Sequence, residues 1–187
     1  TSTAETAPRQ HATDHSVAGK RGPVMAIGGA EDKFRDRIIL SAFFQLAGGR
    51  DARIAIIPTA SSIEAAGERY KAIFLEMGAK EANVLFIGSR EDANGDDHVE
   101  TIGEATGIFM TGGNQMRLSA LVSGTRVAQA IKQRHDAGMI VAGTSAGASI
   151  LSSHMVAYGA SGATPRMRMA QMIAGFGLIP ELIIDQH

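Results

Sequence analysis

The stretch MIVAGTSAGASIL, residues 139–151, decides the fold of this chain. Its first four residues are apolar, an unbroken run that is typical of a short strand buried on both faces of a parallel sheet. The small residues Gly143-Thr144-Ser145-Ala146-Gly147 follow, and residues 146–151 suit a helix. A buried strand, a tight turn and a helix in direct succession indicate an α/β domain.

The rest of the chain repeats this alternation of short apolar runs and amphipathic stretches, which is the pattern of βα units. Strands are predicted at residues 24–27, 53–57, 83–87, 107–110, 139–142 and 178–184. Helices are predicted at residues 34–46, 63–77, 99–105, 115–121, 125–135 and 146–151. We therefore expect a three-layer α/β fold, a mostly parallel sheet with helices on both faces.

Three local features make these predictions specific. The apolar stripe of the first helix consists of Phe34, Ile38, Ala42 and Leu46. Asp32 is placed to cap that helix, and Ser61 or Ser62 can cap the second one, whose stripe begins at Ile63. Residues 153–175 are rich in Ser, Gly and Met without a clear period, so we expect a long surface loop there.

Composition limits the classes of protein that the chain can belong to. Its 187 residues suit one domain, with residues 1–22 as a flexible N-terminal arm and residues 23–187 as the globular part. Eighteen basic and nineteen acidic residues give a net charge of −1, which argues against nucleic-acid and membrane partners. The chain has no cysteine and no apolar run of membrane-spanning length, so we expect a cytoplasmic protein and leave a secreted form open.

Ser145 is the predicted nucleophile. A sharp strand-to-helix turn strains its central residue and tolerates only small neighbours. Such a turn points the Ser145 hydroxyl beyond the carboxyl end of the strand, where the N–H of Ala146 supplies half of an oxyanion hole. The alternatives are a glycine turn without chemistry and a helix N-terminus that binds phosphate.

A second glycine turn follows the predicted strand at residues 107–110 and should open at the same edge of the sheet. In this turn, Thr111-Gly112-Gly113-Asn114-Gln115, the N–H of Gly113 is the best candidate for the other half of the oxyanion hole. Asn114 and Gln115 are candidate substrate-binding residues. A third turn, Gly28-Gly29-Ala30-Glu31-Asp32, follows the first strand.

A serine nucleophile needs a base, and histidine has a pKa suited to proton transfer near neutral pH. Of the six histidines, His11 and His15 lie in the expected arm, and His98 and His135 lie on predicted polar helix faces. We favour His187 over His154, because a residue at the end of a strand is better positioned than one in a loop.

Four segments now carry a resemblance to a known family: Gly28-Gly29-Ala30-Glu31-Asp32-Lys33, Thr111-Gly112-Gly113-Asn114-Gln115, Gly143-Thr144-Ser145-Ala146-Gly147-Ala148 and Asp185-Gln186-His187. In this order they resemble the cyanophycinases, from about residue 23 to the end. The resemblance implies a fold related to class I glutamine amidotransferases and a serine exopeptidase that works through an acyl-enzyme. It also implies cyanophycin, a poly-aspartate that carries arginine through isopeptide links, as substrate and the β-Asp-Arg dipeptide as product.

The resemblance assigns roles to individual residues. Ser145 corresponds to the nucleophile and His187 to the general base, and Gly113 and Ala146 match the oxyanion region. The positions that line the substrate pocket in the family match Gln115, Asp185 and Gln186. An acidic residue such as Asp185 can pair with a guanidinium, although it can equally cap the end of its strand.

The resemblance also implies a triad glutamate and several arginines beyond the Asp-Gln-His motif, and no residue of this chain corresponds to them. We therefore expect an N-terminal fragment, with a C-terminal fragment of the same protein as a candidate partner. A homodimer is expected, and neither a cofactor nor a metal is indicated. The rival interpretations are an aspartyl dipeptidase-like peptidase for small Asp peptides, an esterase of the α/β-hydrolase type and a non-catalytic anion-binding module.

Overall fold

The computed structural model describes residues 21–159 and 170–185. Its main sheet contains the strands β1 Val24–Ile27, β2 Arg53–Ile57, β3 Glu81–Val84, β4 Gly107–Met110 and β5 Ile140–Thr144. They are all parallel and lie in the order β1-β5-β4-β2-β3. The predicted parallel sheet is thus confirmed, and three of its five strands, β1, β2 and β4, have the predicted bounds.

Helices cover both faces of this sheet. They are α1 Ile38–Leu46, α2 Ala66–Glu76, α3 Asp96–Glu104, α4 Gln115–Val122, α5 Arg126–Asp136 and α6 Ala146–Ser149. Successive residues of a strand point to opposite faces, so Ile54 and Ile56 join the core under α1 and α2, whereas Ala55 and Ile57 join the core under the other helices. Two cores on one sheet make the three layers that the sequence predicts.

The strand register brings the loops after β1, β4 and β5 to one edge of the sheet. Met110, the last residue of β4, pairs with Gly143 of β5, and Ile27, the last residue of β1, pairs with Thr144. Because the strands are parallel, the three glycine turns that follow them open into the same space. Ser145 lies in the middle of that space.

The first helix begins later than predicted. The carboxylate of Asp32 accepts the N–H groups of Phe34, Arg35 and Arg37, which closes a turn ahead of α1 instead of capping it. The predicted stripe is therefore wrong: Phe34 is 80% exposed and Ile38 73% exposed. The buried side chains of α1 are Leu40, Phe43 and Phe44.

The start of the second helix and the third strand also differ from the prediction. The Ser61 hydroxyl accepts the N–H of Ile63 in a turn, and α2 starts only at Ala66, so neither Ser61 nor Ser62 is its cap. Ile63 is left 60% exposed. The third strand runs over residues 81–84 instead of 83–87, and of the apolar residues after it Leu85 and Ile87 are buried whereas Phe86 is 56% exposed.

Residues 153–175 contain a second sheet in place of the predicted loop. The strands β6 His154–Gly159 and β7 Ala170–Ala174 pair antiparallel, and residues 160–169 lie outside the described ranges. In β6 Met155 and Ala157 are buried, Val156 between them is half-buried, and His154 and Tyr158 on either side are exposed, a period of two that the Ser, Gly and Met content obscures. The predicted strand at 178–184 is wrong; a single bridge joins Ser152 and Ile179, and Pro180 has no N–H to continue it.

The expected arm, residues 1–22, lies outside the described ranges up to residue 20. Arg21 forms an ion pair with Asp136 of α5 at 3.1 Å, and the N–H of Gly22 donates to the His135 carbonyl at 2.8 Å. His135 is 2% exposed, so its predicted place on a polar, solvated face is wrong. In the ranges 21–159 and 170–185, no helix has the length and apolar character needed to cross a membrane.

Candidate active site

Ser145 lies in a strained turn between β5 and α6. Its backbone angles are φ 53° and ψ −114°, a region that residues other than glycine rarely adopt. The chain reverses so tightly that a Cβ on Gly143 would lie 1.9 Å from the Gly147 carbonyl oxygen, and one on Gly147 would lie 2.4 Å from the Met110 oxygen. The predicted strain and the need for small neighbours are both confirmed.

This crowding predicts a large loss of stability for Gly143→Ala. The added methyl group meets backbone atoms that cannot rotate away, so we expect a cost of about 3 kcal/mol or more, which lowers Tm by roughly 6–12 °C. The matched control is Gly103→Ala in α3, where a Cβ would meet nothing within 4 Å. Calorimetry should show no loss for the control, and equal Tm values for the two variants would contradict the geometry.

Two glycine turns hold Ser145 from either side. A Cβ on Gly112 would lie 3.1 Å from the Cβ of Ser145, and one on Gly29 would lie 3.4 Å from it. Glycine at both positions therefore lets the loops after β1 and β4 approach the serine closely. Gly112 is a neighbour that the sequence analysis missed in favour of Gly113.

Backbone N–H groups are available for an oxyanion hole. Within residues 21–159 and 170–185, neither the N–H of Gly113 nor that of Ala146 donates a hydrogen bond. Gly113 has φ 139°, and a Cβ there would lie 2.0 Å from the Ala60 carbonyl oxygen, so only glycine fits this turn. The two N–H groups belong to the turns after β4 and β5, which open at the same edge of the sheet.

A buried carboxylate, Glu31, ties the loop after β1 to the serine turn. Its side chain is 1% exposed and accepts a hydrogen bond from the Thr144 hydroxyl at 2.5 Å, one from the Tyr70 hydroxyl, and an ion pair from Lys33 Nζ at 2.8 Å. Thr144 directly precedes Ser145. The loop after β1, α2 and the end of β5 thus meet at one carboxylate.

The charge states of this cluster follow from its contacts. Burial raises the pKa of Glu31, but the bonds from Lys33, Thr144 and Tyr70 together lower it below its usual value, so the group is an anion at neutral pH. Burial, and then the bond to Glu31, raise the pKa of the Tyr70 phenol, which therefore stays protonated and donates. Asp32 is also ionised, because the N–H groups of Phe34, Arg37 and Arg35 lower its pKa to about 2.

A cavity of about 660 Å³ opens beside Ser145. Its floor is the Glu31 cluster, and its walls come from the loop after β1, the residues before and in α2, and the turn at Thr111 and Gly112. Phe34 and Ile63, the exposed apolar side chains described above, lie at its edge. This volume is within the range of small-molecule sites, roughly 300–1,000 Å³.

A second cavity, of about 350 Å³, contains two of the predicted substrate-binding residues. Gln115 and Asp185 line it together with Ser149, Tyr158 and Ile184, among other residues of α6 and β6. The Gln115 amide nitrogen donates to the carbonyl oxygens of Val156 and Ala157, both at 3.3 Å. Two residues that are seventy positions apart in the sequence thus line one cavity.

Asn114, a predicted substrate-binding residue, has a structural role in the fold. Its Oδ1 accepts the N–H groups of Met116 and Arg117 and so caps α4. Only its amide nitrogen remains for a substrate. The residue type that suits a polar contact is here also the type that suits a helix N-cap.

The chain that leads to the predicted base is fixed next to the serine turn. Ser149, at the end of α6, donates its hydroxyl to the Ile184 carbonyl at 3.3 Å, and the Ile184 N–H donates to the Ser152 hydroxyl at 3.1 Å. His187 and Gln186 lie outside the described residues. The alternative base, His154, is exposed at the start of β6 and lines neither of the two cavities.

Comparisons with known proteins identify the family. A model of peptidase family S51 matches residues 24–187. The cyanophycinase of Thermosynechococcus vestitus is 43% identical over 177 residues, 94% of this chain and 55% of that protein. The cyanophycinase of Geminocystis herdmanii is 46% identical over 169 residues, 89% of this chain and 62% of that protein. The chain therefore spans little more than half the length of these relatives.

Solved structures share the fold. A peptidase from an acI-B1 Actinobacterium superposes with a TM-score of 0.70 at 26% identity, over 89% of this chain and 68% of that one. A putative peptidase E protein from Listeria monocytogenes has a TM-score of 0.54 at 21% identity, over 72% of this chain and 63% of that one, and shows the fold alone.

Proposed function

Because the chain belongs to peptidase family S51, we propose that its protein is a serine exopeptidase that hydrolyses cyanophycin to β-Asp-Arg dipeptides. The observation that carries this proposal is the strained turn at Ser145, with φ 53°, between N–H groups that donate to no described residue. Strain of this kind costs about 1–3 kcal/mol and persists where the surrounding structure enforces it, commonly at active sites. The cyanophycinase relatives supply the substrate of the proposal.

The proposed reaction has two steps. Ser145 Oγ attacks the carbonyl carbon at the scissile bond while the imidazole of His187 takes the hydroxyl proton. The N–H groups of Gly113 and Ala146 stabilise the resulting oxyanion, and its collapse expels the amine, which receives the proton from His187. Water then attacks the acyl-enzyme with the same imidazole as base, which releases the acid and restores the serine.

The cavity at Gln115 and Asp185 is the proposed site of the released dipeptide. The Asp185 carboxylate is exposed and can pair with the guanidinium of the arginine, a charge-assisted contact with two parallel hydrogen bonds. Gln115 is fixed by its bonds to β6, so its carbonyl oxygen has a defined direction for a substrate N–H.

Product analysis tests this function. The intact protein is incubated with cyanophycin or with α-Asp dipeptides, and the products are identified by mass spectrometry. We expect β-Asp-Arg from the polymer and slow or no cleavage of the α-Asp dipeptides. Cleavage of the dipeptides alone would replace the proposal by an aspartyl dipeptidase-like activity, and no cleavage of either would favour a binding module.

We also propose a cytoplasmic homodimer. The chain has no cysteine, which suits a reducing compartment. On α1, the adjacent Ile38 and Ile39 are 73% and 43% exposed, and Leu46 at the other end of the helix is 54% exposed. Exposed apolar surface commonly marks a contact between proteins. Light scattering of the purified protein should give twice the mass of one protomer, and a monomer at micromolar concentration would contradict this part.

A further inference from the structure

The cavity beside Ser145 has no occupant in the proposed function so far. It has almost twice the volume of the cavity at Gln115, about 660 against about 350 Å³. The larger cavity lies among residues from the loop after β1 and from α2, and the smaller one among α4, α6 and β6. A polymer extends beyond the dipeptide that is released from it, so its next unit needs a second site near the serine.

Arg69 gives this cavity a cation that is available to a ligand. The Arg69 side chain is exposed on α2. Its guanidinium forms neither a hydrogen bond nor an ion pair with any residue in the described part of the chain. The other lining cation, Lys33, is already bound to Glu31. Asp32 is the anion in the lining that stays exposed to solvent. Its carboxylate accepts hydrogen bonds from backbone N–H groups and remains negatively charged.

Apolar surface at the edge of the cavity adds a second kind of contact. Phe34 is 80% exposed and Ile63 60% exposed, although both belong to turns in which their backbone N–H groups donate hydrogen bonds to Asp32 and Ser61. An aromatic face can stack on a guanidinium, and an aliphatic side chain can cover a methylene stem. The cavity thus combines a free cation, an anion and an aromatic ring.

This combination matches the arginyl groups of the polymer. In cyanophycin the α-amino group of each arginine is used in the isopeptide link, which leaves an α-carboxylate, a methylene stem and a guanidinium. Resting on the proposed function, we infer that this cavity binds the arginyl group of the polymer unit next to the released one. Its carboxylate pairs with Arg69, and its guanidinium lies against Phe34 and Asp32.

A binding experiment without turnover tests the inference. A two-unit fragment of the polymer is titrated by calorimetry into the Ser145→Ala protein, with or without Arg69→Ala. Loss of the carboxylate contact should raise Kd about 10- to 100-fold, the range for a hydrogen bond to a charged group. The matched control is Arg35→Ala, an exposed arginine of the loop after β1 that lines neither cavity; it should leave Kd unchanged.

A modified ligand identifies the partner of Arg69. When the arginine carboxylates of the fragment are converted to amides, Arg69→Ala should have no further effect on Kd. If Arg69→Ala binds the unmodified fragment as tightly as Arg35→Ala does, this second site is overturned while the proposed function stands. If the Ser145→Ala protein binds no fragment and the unsubstituted protein releases no dipeptide, the proposed function itself fails.

Discussion

Replacing Ser145 by glycine is expected to abolish dipeptide release and to make the protein more stable. The nucleophile is lost, so kcat should fall by roughly 10⁴- to 10⁶-fold. The backbone at φ 53° is strained for serine and relaxed for glycine. Relief of that strain should add about 0.5–2 kcal/mol to the free energy of unfolding, after the entropic cost of glycine.

Ser145→Ala is the matched control for this pair of effects. It removes the same hydroxyl but keeps a Cβ at the strained position, so activity should be lost without the gain in stability. Urea unfolding of the three proteins measures the difference. A glycine variant no more stable than the alanine variant would show that the turn stores no strain, and dipeptide release by either variant would exclude Ser145 as the nucleophile.

Replacing Glu31 by leucine should cause a large loss of stability, comparable with that expected for Gly143→Ala. The change leaves Lys33, Thr144 and Tyr70 without their common acceptor, and the loss of one partner from a buried charged cluster costs about 3–5 kcal/mol. Because Lys33 is 20% exposed and can turn toward water, we expect the lower end of this range. Thermal unfolding should show a decrease in Tm of roughly 6–12 °C.

Two milder variants separate the parts of the Glu31 effect. Thr144→Val removes one hydrogen bond and should cost about 1–2 kcal/mol. Glu76→Gln breaks the exposed ion pair with Arg37, formed at 2.7 Å with Glu76 68% exposed, and should cost less than about 1 kcal/mol. If Glu31→Leu lowers the free energy of unfolding no more than Glu76→Gln does, the Glu31 carboxylate does not stabilise the turn at Ser145.

The Glu31 cluster also predicts a dependence of stability on pH. The folded state lowers the pKa of Glu31, so its contribution is present above the pKa of an unfolded glutamate, about 4.3. It is lost as the pH falls through the lower folded value. The difference in unfolding free energy between the unsubstituted protein and Glu31→Gln should therefore be constant near neutral pH and shrink in acid, and a difference that grows in acid would contradict the assignment.

Much of the fold and the core of the site could be predicted from local sequence. The apolar run before Gly143 places β5, and glycine at positions 143 and 147 is required by the close approach of backbone atoms in the turn around Ser145. The turn at Thr111 could be placed at the same edge because parallel strands share a direction. These predictions depend on neighbours in the chain and on one topological rule.

The predictions were wrong or incomplete where contacts between residues far apart in the sequence determine the structure. Aspartate is a residue type that commonly caps helices, but the hydrogen bonds that Asp32 accepts close a turn before α1. Phe34 is therefore left beside the cavity. Glu31 gave no local signal, because its partners Tyr70 and Thr144 are 39 and 113 positions away. The place of Glu31 in the glycine turn after β1, which opens at the same edge of the sheet as Ser145, was the one indication available.

Covalent labelling decides whether Ser145 is the nucleophile. A serine-directed phosphonate is added to the intact protein, and the tryptic peptide of residues 135–166, which contains Ser145, is sequenced by tandem mass spectrometry. If Ser145 is the nucleophile, we expect one adduct, on Ser145, that forms as dipeptide release is lost. This adduct should be absent from the Ser145→Ala protein. An inhibited protein with its adduct on another residue, or an active protein that carries the adduct on Ser145, would contradict this assignment.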